Sequence, residues 1–302
     1  MTQTTFPGFL DAHVHLALID PAVLPAGGVA RVLDLGGWQP GAPAEAAELE
    51  IAYANQFLAA PGGYPGRQAW APSGSVREVT TVTDAAAAVG EQLASGASVI
   101  KVTLNSDAGP VFATDVLRAI VAGAHENGVP VVAHAEGVGQ AVRAFSAGVD
   151  MLAHTPFSER LVDELVDAMA GRMTWISTLD IHGWGEPTDD FTRASDNLRR
   201  FHAFGGRVLY GTDLGNGPLP VGLNRREIDA LLGAGMAPDE VIGALTAALP
   251  GGALARTAGG AGRHPLKRVT VVPGERPTDR EGFADWLCEA RAVTADDLED
   301  TD

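Results

Sequence analysis

Lysine is nearly absent from the sequence. Of 21 basic residues in 302, two are lysines, Lys101 and Lys267, and the rest are arginines. Positive charge is scarce altogether, because 38 acidic residues leave a formal net charge of −17. Proteins that hold a phosphate backbone neutralise it with clustered Lys and Arg, so nucleic acid is a poor partner for this chain. An anionic membrane surface repels it for the same reason. Cys288 stands alone, which excludes a disulfide framework and a cysteine-based structural zinc site. No uncharged apolar run reaches the ~20 residues a membrane span needs. No basic residue precedes a hydrophobic run within the first nine residues, so no secretory leader is expected. No strand-to-helix turn carries GxGxxG or a GxxxxGK phosphate loop. These absences lead to the expectation of a cytoplasmic protein with a small-molecule partner. Monomer and homo-oligomer both stay open.

What is present is 46% hydrophobic residues, enough to bury a core. Eight short runs rich in Val, Ile and Leu fall at residues 8–16, 29–35, 67–71, 99–104, 129–134, 151–154, 173–178 and 207–212. They are nearly continuous rather than alternating, as expected of parallel strands covered on both faces. Residues 84–95, 114–127 and 158–170 between them open on Asp84, Thr114 and Ser158 and close before glycine, which predicts helices. Eight strand-then-helix units in about 250 residues match a (β/α)8 barrel; an open doubly wound sheet is the alternative. Residues 1–250 are expected to form the barrel. Residues 251–302 read as a Gly/Ala-rich linker, a strand near 268–272, a short helix near 283–290 and an acidic end. From residue 275 onward there are ten acidic and three basic residues, so this segment holds −7 of the −17.

The active site of such a barrel lies at the C-terminal strand ends. His13 and His15 sit there at i and i+2, a spacing that shares one face of a strand. Two buried imidazoles need partners, and either a metal ion or a hydrogen-bonded loop supplies them. His134 and His154 end the fifth and sixth runs, and Asp213 follows the eighth. Each taken singly reads as a satisfied core residue or a turn cap. Five such groups at the ends of four strands read as a metal site, and N and O donors without thiolate suit Zn, Mn, Fe or Ni. Lys101 lies in the fourth run. An amine there serves as a Schiff-base nucleophile, as an ion-pair partner, or, after addition of CO2, as a carboxylate-like bridge. The surrounding histidines favour the last.

These motifs resemble those of the amidohydrolase superfamily, in its imidazolonepropionase-like and Xaa-Pro-dipeptidase-like branch. Residues 6–16 (FPGFLDAHVHL) resemble the first-strand motif. Residues 96–102, 124–135, 148–154 and 211–213 resemble the fourth, fifth, sixth and eighth, with Thr155 in place of a more usual Gly. Residues 227–246 resemble the last barrel helices, so the likeness spans about residues 6–250. It implies two divalent ions, zinc first. His13, His15 and Asp213 would hold one, His134 and His154 the other, with carboxylated Lys101 and a hydroxide between them. Asp213 would take the proton of the attacking hydroxide and return it to the leaving group. The implied activity is hydrolysis of an amide, peptide or cyclic-amide C–N bond.

Two departures stand out. The relatives flank the barrel with a β-sandwich built from both chain ends, but here the first run begins within ten residues of Met1, so the N-terminal half is expected to be missing and the C-terminal extension to be a remnant. The Asn-Pro-Ala stretch after the last helices is replaced by Ala-Leu-Pro-Gly-Gly. Substrate-facing candidates are the residues following strand ends: Trp38, Ser73, Arg77, Asn105, Asp107, Thr178, Asp180, His182 and Trp184, with Glu136 a minor one. Competing functions are a lactone or ester hydrolase on the same binuclear site, a mononuclear metal-dependent deaminase, a Schiff-base lyase through Lys101, and a metal-binding protein without activity.

Overall fold

The computed structural model describes residues 2–38, 48–249 and 268–296. The linker expected at 250–262, Lys267 and the acidic end beyond residue 296 lie outside the described residues. Strands β1 (Gln3–Pro7), β2 (Phe9–Val14), β3 (Val29–Asp34), β4 (Glu50–Tyr53), β5 (Phe57–Ala59) and β6 (Val76–Glu78) precede the first α-helix, α1 (Val82–Ala94). Strands and helices then alternate: β7 (Ile100–Asn105), α2 (Thr114–Glu126), β8 (Val131–Glu136), α3 (Gln140–Ala147), β9 (Met151–Leu152), α4 (Asp163–Ala170), β10 (Thr174–Ile176), α5 (Asp189–Ala203) and β11 (Arg207–Leu209). Helices α6 (Arg225–Gly233) and α7 (Pro238–Thr246) follow, and the chain closes with β12 (Arg268–Pro273), α8 (Glu281–Cys288) and β13 (Arg291–Thr294). The fold is mixed α/β. No helix among the described residues is long and apolar enough to cross a membrane.

One parallel sheet has seven strands in the order β11-β10-β9-β8-β7-β5-β6, and a second has β2-β3-β4. Backbone hydrogen bonds join the two. Ala12 N donates to Tyr210 O at 2.9 Å, and Asp213 N donates to His13 O at 2.8 Å. On the other side Ser98 N donates to Tyr53 O at 2.8 Å. β2 and β7 are buried at every position, so their polar residues, Asp11 and His13 on β2 and Lys101, Thr103 and Asn105 on β7, are held inside the fold. Leu10, Leu33, Ala52, Val99, Val132, Met151, Ile176 and Leu209 come together in one apolar cluster, separate from the larger one under the helices. In the larger cluster the Trp175 and Phe201 rings stack 3.8 Å apart and fix α5 against β10.

The third strand is not where the sequence reading put it. Residues 67–71 form turns; the strand is β4 and β5, separated by Asn55 and Gln56. These two polar residues break the apolar run and hide it. They are buried at 2% and 8% exposure but satisfied from α1: Asn55 Nδ2 donates to Gln92 O at 3.2 Å, and Gln92 Nε2 to Gln56 Oε1 at 3.0 Å. Asn55 has φ +63°, a left-handed conformation asparagine tolerates better than most residues. Helix α4 starts at Asp163 rather than Ser158, because the Ser158 hydroxyl accepts a bond from Gly137 N at 2.8 Å instead of capping. The N-terminal residues also contribute to the small sheet, contrary to expectation. β1 pairs antiparallel with β12, which pairs with β13. Phe9 N donates to Thr270 Oγ1 at 2.9 Å, tying that sheet to the start of β2.

Candidate metal centre

Side chains alternate along a strand, so residues two beyond the apolar cluster point the same way. From Val99 this gives Lys101; from Val132 it gives His134 and then Glu136; from Leu209 it gives Gly211 and Asp213. His13, His15, Lys101, His134, His154 and Asp213 all line one cavity of about 420 Å³. All six are buried.

Three ligand-type atoms meet at one point. His13 Nε2 and His15 Nε2 lie 3.0 and 3.1 Å from Asp213 Oδ1, and 3.3 Å from each other. The other ring nitrogens are committed: His13 Nδ1 donates to Ala153 O and His15 Nδ1 to Gly36 O, each at 2.8 Å. With the protons on Nδ1, both Nε2 atoms present lone pairs to a carboxylate oxygen. Asp213 Oδ1 has no hydrogen-bond partner, while Oδ2 accepts from Asn216 Nδ2 at 2.8 Å. Two lone pairs and a carboxylate oxygen in mutual contact repel unless a cation lies among them. The donor set and its spacing therefore fit a metal ion, and the backbone carbonyls behind the rings are the outer partners that orient such ligands. Burial pushes the His13 imidazolium down to about 4, which favours the neutral, ligating form.

A second pair of nitrogens faces the first group. His154 Nε2 is 3.1 Å from His134 Nδ1. His154 Nδ1 bonds Thr178 Oγ1 at 2.8 Å, and His134 Nε2 bonds Glu136 Oε2 at 3.0 Å. Burial pushes the Lys101 ammonium down to about 7 against the pull of Asp213 and Asp34. Thr178 and Asp213 have φ +43° and +60°. For a β-branched residue such as Thr this backbone costs on the order of 1–3 kcal/mol, strain that concentrates at functional sites.

The remaining candidates divide. His182 and Glu136 line the cavity. His182 packs on Phe157, with ring centroids 4.2 Å apart, and its Nε2 is enclosed without a partner. Thr178 orients His154 rather than facing the cavity. Asn105 reaches the site through Glu136, donating from Nδ2 to Oε2 at 2.7 Å, and its Oδ1 accepts from Asp107 N at 3.1 Å. Asp180 is tied to Arg226 at 2.8 Å and fixes the turn that carries His182. Trp184 is exposed, with its ring over Gly217. Trp38 is buried beside Tyr53. Ser73 lies in a separate shallow depression, and Arg77 pairs with Asp84 and Glu91 of α1 at 2.7 Å each. The sequence places these last two after a third strand at 67–71, whereas that strand ends at Ala59.

Several residues that shape the site went unread in the sequence. Asp11 accepts from Thr212 Oγ1 at 2.6 Å and from His13 N at 3.1 Å, clamping the first strand to the last. Asp34 accepts from Leu16 N and Gly36 N at 2.8 Å each and shapes the loop whose carbonyl orients His15. The aromatics Phe57, Tyr64, Trp70 and Phe157 also line the cavity. An Asp two residues before the His-x-His pair was visible; the loop aromatics carried no periodic signal.

No protein-family model matches the sequence, and no curated protein does. Solved structures do. A Xaa-Pro dipeptidase with bound methionine in its active site is 21% identical, with TM-score 0.72 over 97% of this chain and 86% of that one. A structure described as an amidohydrolase is 20% identical, with TM-score 0.71 over 97% and 85%. Phenylurea hydrolase B is 15% identical, with TM-score 0.64 over 97% and 84%. The chain shares the fold of these three structures.

Proposed function

We propose that this protein is a metal-dependent hydrolase of amide-type C–N bonds, built on a (β/α)8 barrel with a small accessory sheet. The barrel reading rests on the hydrogen bonds that join the two parallel sheets at both sides and on the apolar cluster drawn from eight strand positions. The extension after residue 250, together with β1, is read as a reduced form of the accessory sandwich, and the cytoplasmic placement expected from the sequence is kept. The observation that carries the activity is the convergence of His13 Nε2, His15 Nε2 and Asp213 Oδ1 within 3.3 Å, with Oδ1 lacking any donor.

His13, His15 and Asp213 would hold one divalent ion and His134 and His154 a second, with Lys101, carboxylated by CO2, between them. Zinc is the first candidate for both. Such ions supply a nucleophile from water near neutral pH and polarise the substrate carbonyl. The residues do the rest. Asp213 would take the proton of the attacking water and deliver it to the departing nitrogen. His182, neutral because burial pushes it down to about 4, would donate an Nε2–H to the substrate carbonyl oxygen. Thr178 and Glu136 hold the His154 and His134 rings in place.

The test is hydrolysis of an amide panel by zinc-loaded protein, with Asp213→Asn as the comparison. Loss of proton transfer should lower kcat by roughly 100- to 10,000-fold. An Asp213→Asn variant with undiminished kcat refutes the assignment. A second reading, the mononuclear deaminase, is favoured by one observation: among the described residues the tight three-ligand group is His13, His15 and Asp213. It predicts that Lys101→Ala stays active; the binuclear reading predicts that the variant is inactive and holds one ion fewer. The lactone or ester alternative uses the same groups and is separated by including lactones in the panel.

A further inference from the structure

The cavity has a charge and surface character that narrows the substrate. Among its described lining residues, the groups able to carry positive charge are five histidines and Lys101. Four of those histidines and Lys101 belong to the proposed metal set, which leaves His182. No arginine lines the cavity among the described residues. Arg226 is spent on Asp180 at 2.8 Å, and Arg193 donates to Phe157 O at 2.8 Å. Residues 39–47, which follow β3, contain no Lys or Arg in sequence. Glu136 adds a carboxylate to the lining outside the proposed metal set.

One wall of the cavity is aromatic. Phe57, Trp70 and Tyr64 make an aromatic face of edge-on and tilted rings, with Phe57–Trp70 centroids 6.3 Å apart at 85° and Tyr64–Trp70 centroids 6.0 Å apart at 58°. This face adjoins the metal set, since Tyr64 stacks on His134 at 4.9 Å and Trp70 lies 6.4 Å from His15. Phe157 and Ile181 supply further apolar surface. Trp70 and Leu18 remain 40% and 37% exposed at the cavity, large apolar side chains that no core requires. The volume of about 420 Å³ suits a small molecule.

We propose that the substrate is an uncharged amide bearing a flat aromatic or apolar group and no carboxylate. This rests on the hydrolase reading and names the class of molecule that site accepts. Among the described residues no guanidinium or ammonium outside the proposed metal set lines the cavity to receive a carboxylate, which would give up its hydration beside Glu136. An aromatic group would exchange water for contact with Tyr64, Trp70 and Phe57.

The test uses zinc-loaded full-length protein and two compounds that share one skeleton, N-acetylphenethylamine and N-acetylphenylalanine, which differ by the carboxylate. Calorimetry measures binding, and release of free amine measures hydrolysis. The neutral compound should bind at least tenfold more tightly and show at least tenfold higher kcat/KM. Trp70→Ala should weaken its binding several-fold, and Glu136→Gln should narrow the ratio between the two compounds. Tighter binding of N-acetylphenylalanine, equal binding, or binding of neither compound overturns the proposal. If the neutral compound binds more tightly but is not cleaved, the ligand class stands and the hydrolase reading falls.

Discussion

Glu227 gives the sharpest stability prediction. It is fully buried on α6, and its Oε2 accepts from Asp180 N at 2.7 Å, which helps hold the turn that carries His182. Burial pushes its carboxyl from an ordinary 4.5 up to about 7, although hydrogen bonds oppose the shift. Below pH 4.5 the carboxyl is protonated in both states and linkage contributes nothing. Between 4.5 and 7 the unfolded chain ionises while the folded protein keeps its proton, so stability falls as pH rises. Above 7 the penalty levels off. A shift of about 2.5 units corresponds to about 3 kcal/mol at ~1.4 kcal/mol per unit. Glu227→Gln keeps an oxygen to accept the Asp180 bond and removes the titration. Denaturant unfolding of both proteins at pH 5 and pH 8 should show the variant gaining on the wild type by up to about 3 kcal/mol at the higher pH. All other titrating groups cancel in that difference. A stability difference that does not change with pH refutes the reasoning, because a carboxyl paying no desolvation cost would have an ordinary pKa.

Two further outcomes follow from the packing and the site. Zinc at about a thousandfold excess over its Kd should stabilise the protein by roughly 4 kcal/mol, read as a rise in Tm, and His13→Ala should abolish most of that rise. Trp175→Ala removes a fully buried ring stacked on Phe201 and should cost about 3–5 kcal/mol in denaturant unfolding while leaving zinc affinity unchanged.

The ligand residues were legible because each lies within or just beyond a strand whose apolar run marks it and whose burial makes an imidazole or amine conspicuous. Lys101 stood out further because the chain otherwise uses arginine. The third strand was illegible for the opposite reason. Asn55 and Gln56 interrupt its pattern, and their satisfaction by Gln92, 36 residues away from Gln56, is a tertiary fact. The expectation that Ser73 and Arg77 directly follow that strand falls with it. The β1–β12 pairing joins residues more than 260 positions apart, so no local pattern announced that the first residues form a strand. The aromatic face escaped notice because Tyr64 and Trp70 sit in turns, where neither a 2.0 nor a 3.6 periodicity applies.

The central claim is that these side chains form a metal site. Crystals grown with zinc, examined by anomalous scattering at the zinc edge, test it most directly. The account predicts two peaks in the cavity, one among His13, His15 and Asp213 and one at His134 and His154, with the Lys101 side chain extended by a carboxyl group between them. An empty cavity, or zinc bound only elsewhere on the acidic surface, would contradict it.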